Sequence, residues 1–157
     1  MNDQRGFTLI ELLVTISIMA ILLGIGVPSF RGMIEANRLS SASNDLLSGL
    51  QFARSEAIKR GIPVVFCSSS DQSSCAATPA WIGGRVARNQ AVVTDPAYRI
   101  WPAVRAGIAI SDPGTVEFNA LGAASDLRCF DVTLGSLSRS VSVEVGGRIA
   151  SATVACS

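Results

Sequence analysis

Chemistry in this chain would have to come from four cysteines, thirteen basic and twelve acidic side chains, because histidine is absent. That absence removes His-based zinc sites, Ser-His-Asp triads and Cys-His dyads together. Serine and aspartate are plentiful but have no base partner. Cys67, Cys75, Cys129 and Cys156 contain no C-x-x-C pair, so a zinc site has no support and no metal is expected. Gly24-x-Gly26 and Gly83-Gly84 lack the strand-to-helix context and spacing of a phosphate loop. The sequence therefore predicts no enzyme and no cofactor. One carboxylate stands apart. Glu11 is the only charged residue in the run FTLIELLVTISIMAILLGIGV, residues 7–27.

That run sets the first element. As a helix its twenty-one residues span roughly 31 Å, enough to cross a bilayer core. It is too long for the apolar core of a cleaved signal peptide, and no small-x-small site follows it. A plain anchor is opposed by Glu11, which costs roughly 2.5–3.5 kcal/mol inside a bilayer unless it lies near the interface or finds a partner. Cleavage just before Phe7 would create an α-amine one helical turn from Glu11, and the amine of a neighbouring copy would serve as well. No other segment is long and apolar enough to span, so a polytopic membrane protein is excluded.

The residues Arg5-Gly6-Phe7-Thr8-Leu9-Ile10-Glu11, preceding an apolar run that ends at Pro28, resemble the prepilin-peptidase signature of type IV pilins and type II secretion pseudopilins. The resemblance implies cleavage between Gly6 and Phe7, N-methylation of Phe7, and Glu11 as the residue that registers one subunit on another. It also implies a single-pass protein of the inner membrane with a periplasmic C-terminal domain, later lifted into a filament. The leader departs from the pattern in one respect, because Asp3 beside Arg5 weakens its basic character.

The elements that position these groups follow from periodicity. Beyond Pro28, Leu39, Ala42, Leu46, Leu50, Ala53 and Ala57 fall at steps of three or four, one helix face that Leu47 and Ile58 would widen. Basic residues up to Arg60 and then Gly61 close the helix, predicting one element from 7 to about 60, roughly 80 Å long. Pro28 should kink it, with Gly24 and Gly26 weakening the preceding turn, and in a pilin this stretch is implied to lose helicity on entering a filament. From Ile62 the period changes to short β-branched runs at 62–67, 81–88, 98–104, 107–111, 115–119, 127–134 and 139–146. Turn signals at Asp95-Pro96, Asp112-Pro113-Gly114, Gly122 and Gly135-Ser136 separate them. The fold class is α+β: one long N-terminal helix, membrane-spanning in its first half, packed through its second half on small antiparallel sheets. The parts are a cleaved leader (1–6), an assembly half of the helix (7–28), an amphipathic half (29–61) and a β domain (62–157).

A domain behind such an anchor faces an oxidising periplasm, where disulfides are expected. Four cysteines allow three connectivities. Cys67 with Cys75 would close a Ser/Asp loop of hairpin size, and Cys129 with Cys156 would tie down the chain end. Loop entropy gives these about 2.6 and 3.6 kcal/mol. Trp81, Tyr98 and Trp101 read as core aromatics rather than adhesive ones.

A second, narrower resemblance rests on Leu50-Gln-Phe-Ala-Arg-Ser-Glu-Ala57, a cysteine on the first strand, Trp81, Gly83-Gly84, and Gly146-Gly147-Arg148 before a final cysteine. These resemble the GspH/FimT/FimU subfamily. The function implied is a minor pilin in the tip or priming complex of a type IV pilus, serving twitching or adhesion. The implied partners are other minor pilins, the major pilin, the prepilin peptidase and the inner-membrane assembly platform. The alternative is the H-type pseudopilin of type II secretion, with pseudopilins as partners. A third reading is a DNA receptor for natural transformation, which some members of this subfamily serve through a Gly-Arg-x-Arg segment. Here that stretch is Gly147-Arg148-Ile149-Ala150, without the second arginine, and residues 62–157 carry seven arginines and seven acids. The candidates for contact with nucleic acid are Arg85, Arg88, Arg99, Arg105 and Arg148.

Overall fold

A computed structural model describes residues 7–76, 81, 85–89, 96–111, 114–153 and 155–156. The first helix, α1, spans Leu9–Arg60. Thr8 caps it: the Glu11 N–H donates to Thr8 Oγ1 at 3.3 Å, and the Leu12 N–H donates to the Thr8 carbonyl at 3.2 Å. At the far end Lys59 and Arg60 place cations in the last turn, where the helix dipole favours them. Gly61 adopts the left-handed conformation that ends a helix and donates to the Ala57 carbonyl at 2.9 Å. Gly24, Gly26 and Pro28 all lie within helical backbone.

The chain divides into two compact units, Met1–Asn37 and Arg38–Ser157. Within the expected amphipathic half, 29–61, the second unit takes in α1 from Arg38, and burial begins at Leu39. In the first unit residues 7–25 and 30–37 are all exposed.

In the second unit the predicted helix face is the buried one. Leu39, Ala42, Leu46, Leu50, Ala53 and Ala57 all lie in the core. Ile58, expected to widen that stripe, is instead 52% exposed. Two antiparallel sheets complete the unit. The first has the order β3-β2-β1-β5, from β1 (Val64–Ser68), β2 (Arg85–Asn89), β3 (Arg99–Trp101) and β5 (Val116–Phe118). The second has the order β4-β6-β7-β8, from β4 (Ile108–Ile110), β6 (Arg128–Leu134), β7 (Leu137–Val143) and β8 (Ile149–Ala152). One core joins the helix face to Val64 and Phe66 of β1, Phe118 of β5, Phe130 and Val132 of β6, and Val141 and Val143 of β7.

Three features fix this packing. Trp81 bridges the sheets, with its ring 5.6 Å from Phe66 and 5.0 Å from Phe130, while Trp101 lies 5.4 Å from Phe66 and 5.5 Å from Phe52 of α1. Gly49 lets the helix approach the first sheet, because a Cβ there would stand 2.7 Å from the Phe66 ring. At the helix end, the Arg60 guanidinium pairs with Glu56 at 2.6 Å and lies 3.9 Å over the Tyr98 ring. This tether joins α1 to the segment leading into β3.

The strands differ from expectation in bounds and number. The stretch 139–146 is strand only to Val143, because Glu144 begins a turn in which the Gly147 N–H donates to the Glu144 carbonyl at 2.7 Å. That turn returns the chain as β8, a strand the sequence reading lacked, with Val143 opposite Ile149. The β6–β7 hairpin turns at Gly135-Ser136, with Leu134 opposite Leu137 and Gly135 at positive φ. The stretch 98–104 is strand only to Trp101, because Pro102 has no N–H to give to a ladder. Parts of the 81–88 candidate and of the Asp95-Pro96 and Asp112-Pro113 turns lie outside the described residues.

Candidate assembly site

Over residues 9–25 the first unit presents a helical surface that is apolar on nearly all sides. Phe7 is 84% exposed, and Leu9, Ile10, Leu12, Leu13, Val14, Ile16, Ile18, Met19, Ile21, Leu22, Leu23 and Ile25 are all exposed as well. Each such side chain is worth roughly 1.5–3 kcal/mol when removed from water, so this surface cannot remain wet. Its hydroxyls are turned inward: Thr15 Oγ1 donates to the Leu12 carbonyl at 2.8 Å and Ser17 Oγ to the Leu13 carbonyl at 2.7 Å. Polar side chains satisfied on their own helix are what a hydrocarbon environment requires. The helix is long and apolar enough to cross a membrane.

Glu11 is the exception on that surface. Thr8 and Glu11 hold the positions of a capping box, with Thr8 accepting from the Glu11 backbone. Among the described residues no ion pair involves the Glu11 carboxylate. It therefore lies one turn from Phe7, exposed, on a face that must be covered. Gly6, the other half of the expected processing site, lies outside the described residues, and for Pro28 only the helical backbone is described.

The second unit carries the staples. Cys67 is bonded to Cys75 and Cys129 to Cys156, across 8 and 27 residues, and no free cysteine is present among the described residues. Inside the first loop Asp71 acts as a hub that sequence reading did not single out. Its carboxylate accepts from the Ser73 and Ser74 N–H groups, both at 2.9 Å, and from the Ser69, Ser73 and Ser74 hydroxyls at 3.0, 2.8 and 2.7 Å. The Ser74 and Ser73 amides, then their hydroxyls, hold the Asp71 carboxyl far below the usual carboxylate range. A depressed acid contributes stability that is present above its unfolded value, about 3.9, and is lost as pH falls through the folded one. We expect the unfolding midpoint of the wild type to exceed that of Asp71→Asn at pH 7, and the gap to shrink steadily below about pH 4. A gap that stays constant from pH 7 to pH 2 would show that the loop does not depend on the ionised form.

The five arginines nominated for nucleic acid do not form one surface. Arg85 and Arg88 are only 2% and 4% exposed. Three residues apart on β2, they lie on opposite sides of the sheet. Arg88 Nη1 donates to the Ser73 carbonyl at 3.2 Å. Arg99 is exposed but lies over Phe52 and Trp101, 5.4 and 5.1 Å from their ring centres. Arg148 is engaged with Glu144 through both carboxylate oxygens. Arg99 and Arg105 are the two that are exposed without an ion pair among the described residues, and of these Arg99 is laid over aromatic rings. Arg85 and Arg88 are withdrawn from solvent because β2 is an interior strand, between β1 and β3.

With this geometry in place, comparison with known proteins is informative. Residues 42–147 match the family model described as type II transport protein GspH, and residues 1–27 match the prokaryotic N-terminal methylation motif. The chain is 41% identical over 49 residues to the type IV major alpha-pilin of Moraxella bovis, 31% of each chain. It is 50% identical over 40 residues to prepilin peptidase-dependent protein D of Escherichia coli (strain K12), 26% of this chain and 27% of that one. These matches span under a third of the length of those relatives. A crystal structure of the type IV minor pilin FimU of Pseudomonas aeruginosa (strain PAO1) is similar at a TM-score of 0.60 and 24% identity, covering 75% of this chain and 90% of that chain. Identity at that level speaks for the fold alone.

Proposed function

The chain belongs to the GspH family, the GspH/FimT/FimU branch of the type IV pilin-like proteins, and on that premise we propose that it is a minor pilin in the tip or priming complex of a type IV pilus. The observation that carries this reading is the stretch 9–25 of the first unit: an exposed apolar helix with one carboxylate, Glu11, headed by a methylation motif. Such a helix needs lipid before assembly and other subunits after it. The disulfide-bonded second unit suits an oxidising periplasm behind an inner-membrane anchor. Support for a pilus over a secretion filament comes from the likeness in fold to a minor pilin and from the short identities to pilins. The H-type pseudopilin is the second reading, favoured by the family model's own description. The DNA-receptor reading loses ground because Arg85 and Arg88 are buried and Arg148 is ion-paired.

Deleting the gene tests the choice. The minor-pilin reading expects loss of surface pili and twitching with exoprotein secretion intact; normal piliation with failed secretion would transfer the chain to the secretion system. Within the filament reading, Glu11→Ala should still be processed between Gly6 and Phe7. Its incorporation into sheared filaments, measured by immunoblot against the membrane pool, should fall about tenfold or more, because the partner amine is left buried and unpaired. Undiminished incorporation would remove the registration role from Glu11.

A further inference from the structure

A pocket of about 200 Å³ lies between α1 and the segment following β3, lined by Arg38, Ala42, Asp45, Arg85, Arg105 and Ile108, with Pro102 to Val104 forming another wall. Arg85 reaches it from β2, on the side of the sheet that also carries the core residue Ala87. Its guanidinium is under-used. Nε and Nη1 together carry three of the five N–H donors, and neither has a hydrogen-bond partner among the described residues. Nη2 makes only a long contact, 3.4 Å, to the Pro102 carbonyl. A buried cation in this state is costly, and burial pushes the Arg85 guanidinium down from its ordinary value, opposed in part by the charge of Asp45. Asp45 makes no ion pair with it among the described residues. Arg38 and Arg105, both exposed, bring further positive charge to the same pocket.

We propose that this pocket is a receptor for a carboxylate borne on a short aliphatic stem, with the Arg85 guanidinium as its floor and Arg38 and Arg105 at its rim. The volume is below the roughly 300–1,000 Å³ of pockets that take whole ligands, so it fits one functional group. A planar carboxylate matches the guanidinium fork through two parallel N–H···O bonds. Ala42, Val104 and Ile108 suit methylenes rather than a fully polar ion. Asp45 in the wall disfavours two negative charges on one group, as in phosphate. The same chemistry is offered by an acidic side chain of another protein chain and by a free small carboxylic acid. The proposal does not rest on the filament reading.

The test uses the full chain in detergent micelles. Sodium glutarate should raise the unfolding midpoint by about 3 °C at saturation over sodium chloride of equal ionic strength. Arg85→Met should abolish that rise while leaving the midpoint in chloride unchanged or higher, since it removes a buried charge held by only one long hydrogen bond among the described residues. N-acetylglutamate amide matching glutarate, with the glutamine amide inert, identifies a protein-borne carboxylate; a response to glutarate alone identifies a free acid. No rise over chloride, an equal rise in Arg85→Met, or an equal rise with inorganic phosphate overturns the proposal. If Arg85→Met does not fold, Asp45→Asn decides, because glutarate should then bind several-fold more tightly, and unchanged binding overturns the idea.

Discussion

Gly147→Ala is expected to destabilise the second unit by about 3–5 kcal/mol, whereas Gly146→Ala should stay within about 0.5 kcal/mol of wild type. Two costs coincide at Gly147. Its φ is +79°, a conformation that a residue with a Cβ adopts at roughly 1–2 kcal/mol. A Cβ there would also stand 1.9 Å from the Gly122 carbonyl oxygen and 3.0 Å from Arg54 Nε. The obstacle is backbone, so no rotamer change relieves it. Gly122 cannot retreat freely, because its carbonyl accepts from Arg54 Nε at 3.1 Å and its own backbone sits at φ +78° against Ile58 of α1. The insertion would therefore force apart the β7–β8 turn, the turn at Gly122 and the end of α1. At Gly146 nothing lies within 4 Å of a built Cβ, and φ is not positive. Thermal unfolding of both variants should show a drop of about 10 °C or more for Gly147→Ala alone. Equal midpoints would mean that the turn can open without consequence.

The glycine pair was visible in the sequence, but only as a likeness to related chains. What separates the two residues is a tertiary contact with Gly122, twenty-five positions earlier, and no local pattern encodes that. Gly49 was missed for the same reason. Its place on the helix face follows from periodicity, while the need for a bare Cα follows from the Phe66 ring across the gap. By contrast, the buried face of α1 was readable residue by residue, because a 3.6-residue period records burial directly. Ile58 broke the pattern at the edge of the contact, where hydrophobicity alone does not say whether a neighbour is present. β8 was missed because Ile149-Ala-Ser-Ala152 has little of the β-branched and aromatic content that marks a strand. It pairs because the Glu144–Gly147 turn delivers it onto β7 in register.

The arginines show the limit of charge counting. Arg85, Arg88, Arg99 and Arg105 looked like a local basic excess, and composition assigns such residues to solvent. Strand geometry overrules that assignment for Arg85 and Arg88. Alternate residues of an interior strand face opposite layers, and arginine is long enough to bury its stem while its head seeks a carbonyl or an aromatic ring. The candidate assembly site is the reverse case. Its residues are local in sequence, all within one helix and its cap, so the lone acid and the apolar run could be recognised without tertiary information. What remained illegible was anything that depends on partners, including which chains cover the first unit.

Replacing Gly6 by leucine is expected to leave nearly all of the protein as precursor, six residues longer than the mature chain and confined to the membrane. On the proposed reading, a peptidase must close on the backbone between Gly6 and Phe7, and a residue without a Cβ permits that approach. The consequence for assembly follows from charge. Cutting creates a cationic α-amine at Phe7, at a helix N-terminus whose dipole disfavours positive charge. Glu11, capped by Thr8 one turn further in, is the only acid available on the apolar face to compensate it, within the chain or from a neighbour. An uncut chain has no cation at that point, so in the membrane its Glu11 lacks the amine of its own chain and has none to offer a neighbour's. Processing and registration are thus one electrostatic event, and the two substitutions should not add. If Gly6→Leu alone abolishes incorporation, adding Glu11→Ala should produce no further loss, and by removing the unpaired carboxylate it should restore some membrane stability to the uncut chain. Immunoblots resolving precursor from mature chain, in membranes and in sheared filaments, read both quantities at once. Mature-length protein from the Gly6→Leu gene, or filaments that admit the uncut chain as readily as the wild type, would separate cleavage from assembly and defeat the coupling.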